Sequence, residues 1–174
     1  MIAKDFMKSV GNSRTDVLQA FLDILAETGS RYCVIGGLAV NAYAEPVVSL
    51  DLDMAVAAED LPEVCKRAEA KGFTLQRFEH SLNLAHEESD FRIQLQTDDR
   101  YQEFIPRATT REVMGYKMNV AALEDVLRGK IWAVSHETPR KSKRQKDLAD
   151  IARLVESFPE LKGRLPSGLL REVE

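Results

Sequence analysis

A chain of 174 residues has room for one domain with a real core, and 44% apolar with 30% charged residues is the ordinary globular balance. A net charge of −4 excludes a global basic field that would recruit nucleic acid. No apolar run approaches membrane-span length and no signal-like apolar core follows the N-terminus, so a cytoplasmic location is expected. The two cysteines, Cys33 and Cys65, fall in a predicted buried strand and on a predicted helix. Neither has a metal-like or redox-like neighbour, so both are expected to be free thiols.

In chain order, Asn12-Ser13 is expected to cap a first helix. Its apolar residues Val17, Leu18, Phe21, Ile24 and Leu25 follow helical spacing, and Gly29 ends it. Tyr32–Ile35 reads as a short buried strand, and Gly36-Gly37 then open a second, helix-like stretch. Residues 49–55 alternate as a strand, so Asp51 and Asp53 share one face while Leu50, Leu52 and Met54 share the other. A third helix has Pro62 in its first turn, buries Leu61, Val64, Cys65 and Ala68, and stops at Gly72. Strands are expected at 74–78, 82–85 and 91–95, with 111–118 a further strand or an extended link. Two closing helices, 121–135 and 143–157, are joined by the Pro139 loop. This mixture suits an α/β (α+β) fold, a mixed sheet flanked by helices with a helical C-terminal part. One domain over 1–174 is expected, with a sheet core at 30–100 and C-terminal helices at 119–174.

The chemistry concentrates at Gly36-Gly37 and at Asp51-Leu52-Asp53, with thirteen residues between. Two carboxylates on one strand face repel each other unless a cation lies between them, and Mg²⁺ (or Mn²⁺) is the usual hard cation for such a site. Glycines beside it let backbone N–H groups approach a phosphate chain. The pattern points to Mg²⁺ with a nucleoside triphosphate. It resembles the nucleotidyltransferase superfamily typified by DNA polymerase beta, in which a hydrophobic-Gly-Gly/Ser turn precedes an Asp-x-Asp/Glu strand. The resemblance is closer to the small bacterial branch of abortive-infection and toxin–antitoxin nucleotidyltransferases. There a Ser/Thr-x-Asp-Leu-Asp segment is followed by a helical Lys and an Arg-x-Lys-Asp segment. Here these are Ser49 to Asp53, then Lys130, then Arg144-Gln145-Lys146-Asp147.

The late helices supply independent evidence. The apolar stripe Leu123, Val126, Leu127, Ile131 and Val134 is centred close to Lys130, where an ammonium must snorkel out or meet an anion. Asp147 shares its face with Ile151 and Leu154, and Arg144 lies close to that face. On spacing alone, a partly buried Lys130–Asp147 ion pair ranks equal to a functional role. The resemblance favours function: Lys130 would meet the triphosphate, and Asp147 would orient it or contact the nucleotide. Ser49 is either a strand start or a phosphate contact. The basic run Arg140, Lys141, Lys143, Arg144 and Lys146 is either a solvated helix entry or a footprint for an RNA acceptor. Trp132 reads as core rather than a stacking platform. The three histidines have no metal-ligand spacing.

One departure matters. Where the superfamily often places a third carboxylate, this chain has Gln94, which can neither take a proton nor carry charge to a second metal. Asp98 follows on the same face, two steps along. The expectation is therefore a Mg²⁺-dependent nucleotidyltransferase moving a nucleoside monophosphate from an NTP to a hydroxyl on RNA, protein or a small molecule. Catalysis falls to Asp51, Asp53 and Lys130, metal binding to Asp51 and Asp53, and the β,γ-phosphates to Gly36, Gly37, Ser49 and Lys130. The resemblance adds a toxin-type activity and a cognate antitoxin as partner. The alternatives are a catalytically weak nucleotide-binding module and a purely structural domain.

Overall fold

In the computed structural model, which describes residues 3–11, 16–136 and 140–174, seven strands form one mixed sheet in the order β3-β4-β5-β2-β1-β7-β6. The strands are β1 (Tyr32–Ile35), β2 (Asp51–Val56), β3 (Phe73–Arg77), β4 (Ser81–His86), β5 (Arg92–Gln96), β6 (Thr109–Val113) and β7 (Tyr116–Val120). The helices are α1 (Ala3–Val10), α2 (Val17–Glu27), α3 (Gly36–Val40), α4 (Leu61–Ala70), α5 (Leu123–Val134), α6 (Lys141–Ser157) and α7 (Ser167–Val173). The sheet thus reaches residue 120, beyond the expected core range.

Alternation divides the sheet into two unlike faces. Along one run Val34, Met54, Leu95 and Leu82, paired in register and buried. Phe73 joins this face and meets Phe21 of α2 edge-on at 5.9 Å. Along the other face, Ile35, Asp53, Gln94, Asn83 and Gln76 stand in register on five successive strands. Such a polar row is unusual inside a sheet. The second face is packed where Cys33, Ile35 and Ala55 lie buried and turns polar across β5, β4 and β3.

The α2 helix begins at Asp16, whose carboxylate accepts from Gln19 N at 3.0 Å; the expected cap, Asn12-Ser13, lies outside the described residues. Gly29 and Gly72 follow α2 and α4 with φ of +62° and +92°, the left-handed stop that suits glycine. Residues 111–118 are not a single strand but the middle of the β6–β7 hairpin, turning at Met114 and Gly115, both at positive φ. A 3₁₀ segment, Asp99–Arg107, enters between β5 and β6; Asp98 caps it by accepting from Arg100 N at 3.1 Å. Cys33 and Cys65 are both buried free thiols. Among the described residues no helix is long and apolar enough to cross a membrane.

Candidate active site

The β1–α3 junction shapes the site. Gly36 has φ +71°, and a Cβ there would overlap Oδ2 of Asp53 and lie 3.0 Å from its Cβ. Only glycine tolerates both the left-handed backbone and that approach. Pairing of Ile35 with Asp53 in the antiparallel β1–β2 ladder brings this turn onto the carboxylate. Gly36 and Asp53 open into a cleft of about 460 Å³, a size suited to a small ligand. Lys130, Lys143 and Asp147 line it from α5 and α6, and Gln94, Gln96 and Ser81 line it from the sheet.

Asp53 is the electrostatically exposed point of this cleft. Its carboxyl is pushed up to about 6, first by burial, which strips water from the charged form, and then by the neighbouring charge of Asp51. Lys130, Lys143 and Lys146 act in the opposite direction without overcoming burial. Among the described residues, no hydrogen bond or ion pair reaches the Asp53 side chain. Asp51 differs: its Oδ1 receives Nε of Arg92 at 2.8 Å, across the parallel β2–β5 register that pairs the two residues. The same register sets Gln94 directly beside Asp53.

Lys130 takes part in a buried ion cluster. Its Nζ lies 2.8 Å from Asp147 Oδ1 and 2.7 Å from Asp150 Oδ2, and all three residues are buried. Lys143 meets the other oxygen of Asp147 at 3.0 Å, and Arg153 meets Asp150 Oδ1 at 2.8 Å. Arg153 also donates to the Glu45 carbonyl at 2.5 Å and to Asn41 Oδ1 at 3.2 Å. The cluster therefore fastens α5, α6 and the loop after α3 together. Its two carboxylates raise the Lys130 pKa, outweighing the burial that opposes its charge. The ion-pair reading of Lys130 and Asp147 is what the structure contains, and both residues also line the cleft. Asp150 was not singled out by sequence, although it sits on the buried stripe three residues after Asp147. Arg144 turns away from that face, to Glu172 on α7 at 2.8 Å.

Of the remaining candidates, Ser49 is buried, and its hydroxyl accepts from Asp51 N and donates to Asp51 O, each at 3.2 Å. It braces the start of β2. Gly37 approaches both Ser49 and Asp150; a Cβ there would sit 3.9 Å from Ser49 Oγ and 3.8 Å from Asp150 Oδ2. Gly37, Ser49 and Asp51 stand beside the cleft rather than in its lining. Asp98 does line it, but as the cap of the 3₁₀ segment and with Oδ2 3.2 Å from Arg100 Nε.

This geometry has counterparts among solved structures. The lincosamide antibiotic adenylyltransferase LnuA, lincomycin-bound, is similar with a TM-score of 0.57 at 14% identity, over 82% of this chain and 98% of that one. ANT(2")-Ia in complex with adenylyl-2"-tobramycin is similar at 0.63 and 16%, over 90% and 94% of the two chains. The chain has the nucleotidyltransferase fold. A nucleotidyltransferase-like protein from Paracoccidioides brasiliensis shares it, with a TM-score of 0.54 at 16% identity over 99% of this chain and 87% of that one. No family profile and no curated protein matches the sequence. Within the nucleotidyltransferase fold of this chain, the Gly36 turn and β2 meet at the cleft that α5 and α6 close from one side.

Proposed function

We propose that this protein is a nucleotidyltransferase that moves a nucleoside monophosphate from an NTP to a hydroxyl acceptor and releases pyrophosphate. The observation that carries the reading is Asp53, a carboxylate in the cleft with no bonded partner among the described residues, raised to about 6 and with the bare Cα of Gly36 against it. A carboxylate held this way is short of a cation. Among the described residues no group of three or more His, Cys, Asp or Glu could form a metal cage. That composition fits Mg²⁺ arriving with a nucleotide, because Mg²⁺ commonly takes one or two carboxylates and fills its shell with phosphate oxygens and water. Asp51 and Asp53 would hold it, and when bound it would supply neutralisation of charge at the α-phosphate.

The protein's own groups would do the rest. Gly36 lets main-chain N–H groups approach the phosphates, and Gly37 packs behind it. Lys143 and Arg140 line the cleft as exposed cations for the β,γ-phosphates. Lys130 and Asp147 hold α5 and α6 in place while the cluster, with three cations to two carboxylates, leaves net positive charge on that wall. Gln94 cannot take the acceptor's proton, so transfer is expected to be slow unless the acceptor hydroxyl is acidic or well positioned. That same amide supports the second reading, a nucleotide-binding module that acts through a partner.

The test is incubation with each α-labelled NTP, Mg²⁺ and RNA, lysate protein or a small-molecule extract. Label in RNA or protein that Asp53→Asn abolishes would indicate the toxin-type activity, with an antitoxin as the partner to seek. Label in a small molecule would indicate a modifying enzyme. Tight NTP binding with no transfer to any acceptor would favour the binding module.

A further inference from the structure

The reading above leaves one wall of the cleft unused. Trp132, the only tryptophan of the chain, stands on α5 and lines the cleft. It is stacked with Phe104 at 5.4 Å between ring centroids and 12° between planes, and Tyr101 meets it edge-on at 5.2 Å. The Arg100 guanidinium lies over the same indole, its Cζ 4.5 Å from the ring centroid. The same guanidinium is held by Asp98, its Nε 3.2 Å from Oδ2, and Asp98 is itself fixed by accepting from Arg100 N. Phe104 and Trp132 thus form a stacked pair with the planar Arg100 cation over the indole. The Arg100 side chain keeps 46% of its exposure and faces the cleft that contains Gly36 and Asp53.

A guanidinium can bind a phosphate through its charge or a flat ring through its plane. Here the Asp98 carboxylate offsets the charge, while the aromatic layers beneath hold the plane in position. Exposed cations that could take the phosphates line the same cleft at the start of α6, at Lys143 and Arg140. We propose that the Arg100 plane, backed by Trp132 and Phe104, is the seat of the nucleobase of the bound nucleotide. This rests on the nucleotidyltransferase reading. Stacking accepts any base, since each has a π-face, so the platform separates nucleotides from bare polyphosphate rather than one base from another.

The single tryptophan makes the test direct. Wild type, Arg100→Ala and Arg100→Lys are titrated, with Mg²⁺, against ATP, GTP, CTP, UTP and inorganic tripolyphosphate. Trp132 fluorescence and calorimetry are both recorded. Each NTP should change Trp132 emission, and tripolyphosphate should compete without that change. Arg100→Ala should weaken every NTP by about tenfold, as loss of a stacking partner typically does, with tripolyphosphate affinity unchanged. Arg100→Lys, which keeps the charge and loses the plane, should behave like Arg100→Ala. Unchanged NTP affinity in Arg100→Ala, or full affinity in Arg100→Lys, would overturn the platform. Equal losses for NTP and tripolyphosphate would overturn it too, by making Arg100 a phosphate ligand. If wild type binds NTP and tripolyphosphate equally well, the platform fails while the nucleotide reading stands. If it binds neither, the nucleotide reading fails first.

Discussion

Two charged groups within one cleft have opposite surroundings. Lys130 is buried with two carboxylates within 2.8 Å, and those carboxylates are satisfied in turn by Lys143 and Arg153. Asp53 is half-buried with no bonded partner among the described residues, and burial outweighs Lys130, Lys143 and Lys146. The first arrangement closes on itself, which marks a site that holds helices together. The second leaves a carboxylate without a bonded cation, which is the observation that supports the proposed ligand site. A buried charge is thus informative mainly through what has been left unmet around it.

The comparison breaks most visibly at Lys130. Lys130→Met should destabilise by roughly 3–5 kcal/mol, because Asp147 and Asp150 lose their shared buried cation. Urea melts would read this, and adding Asp147→Asn and Asp150→Asn to Lys130→Met should recover much of the loss. An unchanged melt in the single variant would show that the cluster is dispensable. Gly36→Ala comes next. The left-handed backbone and the overlap with the Asp53 carboxylate should together cost about 3 kcal/mol and abolish NTP binding. Normal NTP affinity in that variant would argue against a phosphate cradle.

Asp53→Asn should move stability the other way. The folded carboxyl is raised to about 6 while an unfolded aspartate titrates near 4, so over that interval the folded state binds more protons. Wild-type stability, without ligand, should therefore fall as pH rises from 4 to 6 and stay low above it. Asparagine removes this dependence, so the variant should gain about 2 kcal/mol at pH 7–8 while losing transfer. Melting curves from pH 4 to 8 check both, and a variant less stable than wild type at pH 8 contradicts the argument. The smallest stability change belongs to Gln94→Glu. A carboxylate set beside Asp53 should cost up to about 1 kcal/mol through like-charge repulsion. Transfer should nonetheless rise on the order of 10²-fold if a general base is what the site lacks. A rapid wild-type reaction that Gln94→Glu does not improve, and Asp98→Asn abolishes, would move the base to Asp98.

The β1 strand, the Gly36 turn and the shared face of Asp51 and Asp53 were legible because each follows from local alternation and a glycine. The Lys130–Asp147 contact was legible as an apolar stripe interrupted by charge. Asp150 could have been found the same way. Arg92 could not: alternation puts it on the face of Gln94, but only the β2–β5 pairing, made across forty residues of chain, sets it against Asp51. The 3₁₀ segment Asp99–Arg107 was missed for a related reason. Its Tyr101, Phe104 and Ile105 do keep helical spacing, but the segment is short and contains Pro106, and it is held by Tyr101 and Phe104 packing against Trp132. That packing also alters the reading of Trp132, which is both core and cleft wall. The β6–β7 hairpin turns on Met114-Gly115 instead of the usual Asn-Gly, so its turn gave little local signal.

The two thiols turn the fold into its own clock. Cys33 sits in β1 at the middle of the sheet, fully buried, with burial pushing its thiol up to about 12. Cys65 lies on α4 at the periphery, its thiol also raised, by burial, but less deeply enclosed. A thiol reacts only as an exposed thiolate, so alkylation of either residue reports an opening event rather than surface chemistry. Cys65 should become labelled when α4 lifts locally, and Cys33 only when the central ladder parts. The ratio of the two labelling rates, followed by mass spectrometry with and without nucleotide, would then time the loosening of the helical layer separately from that of the sheet.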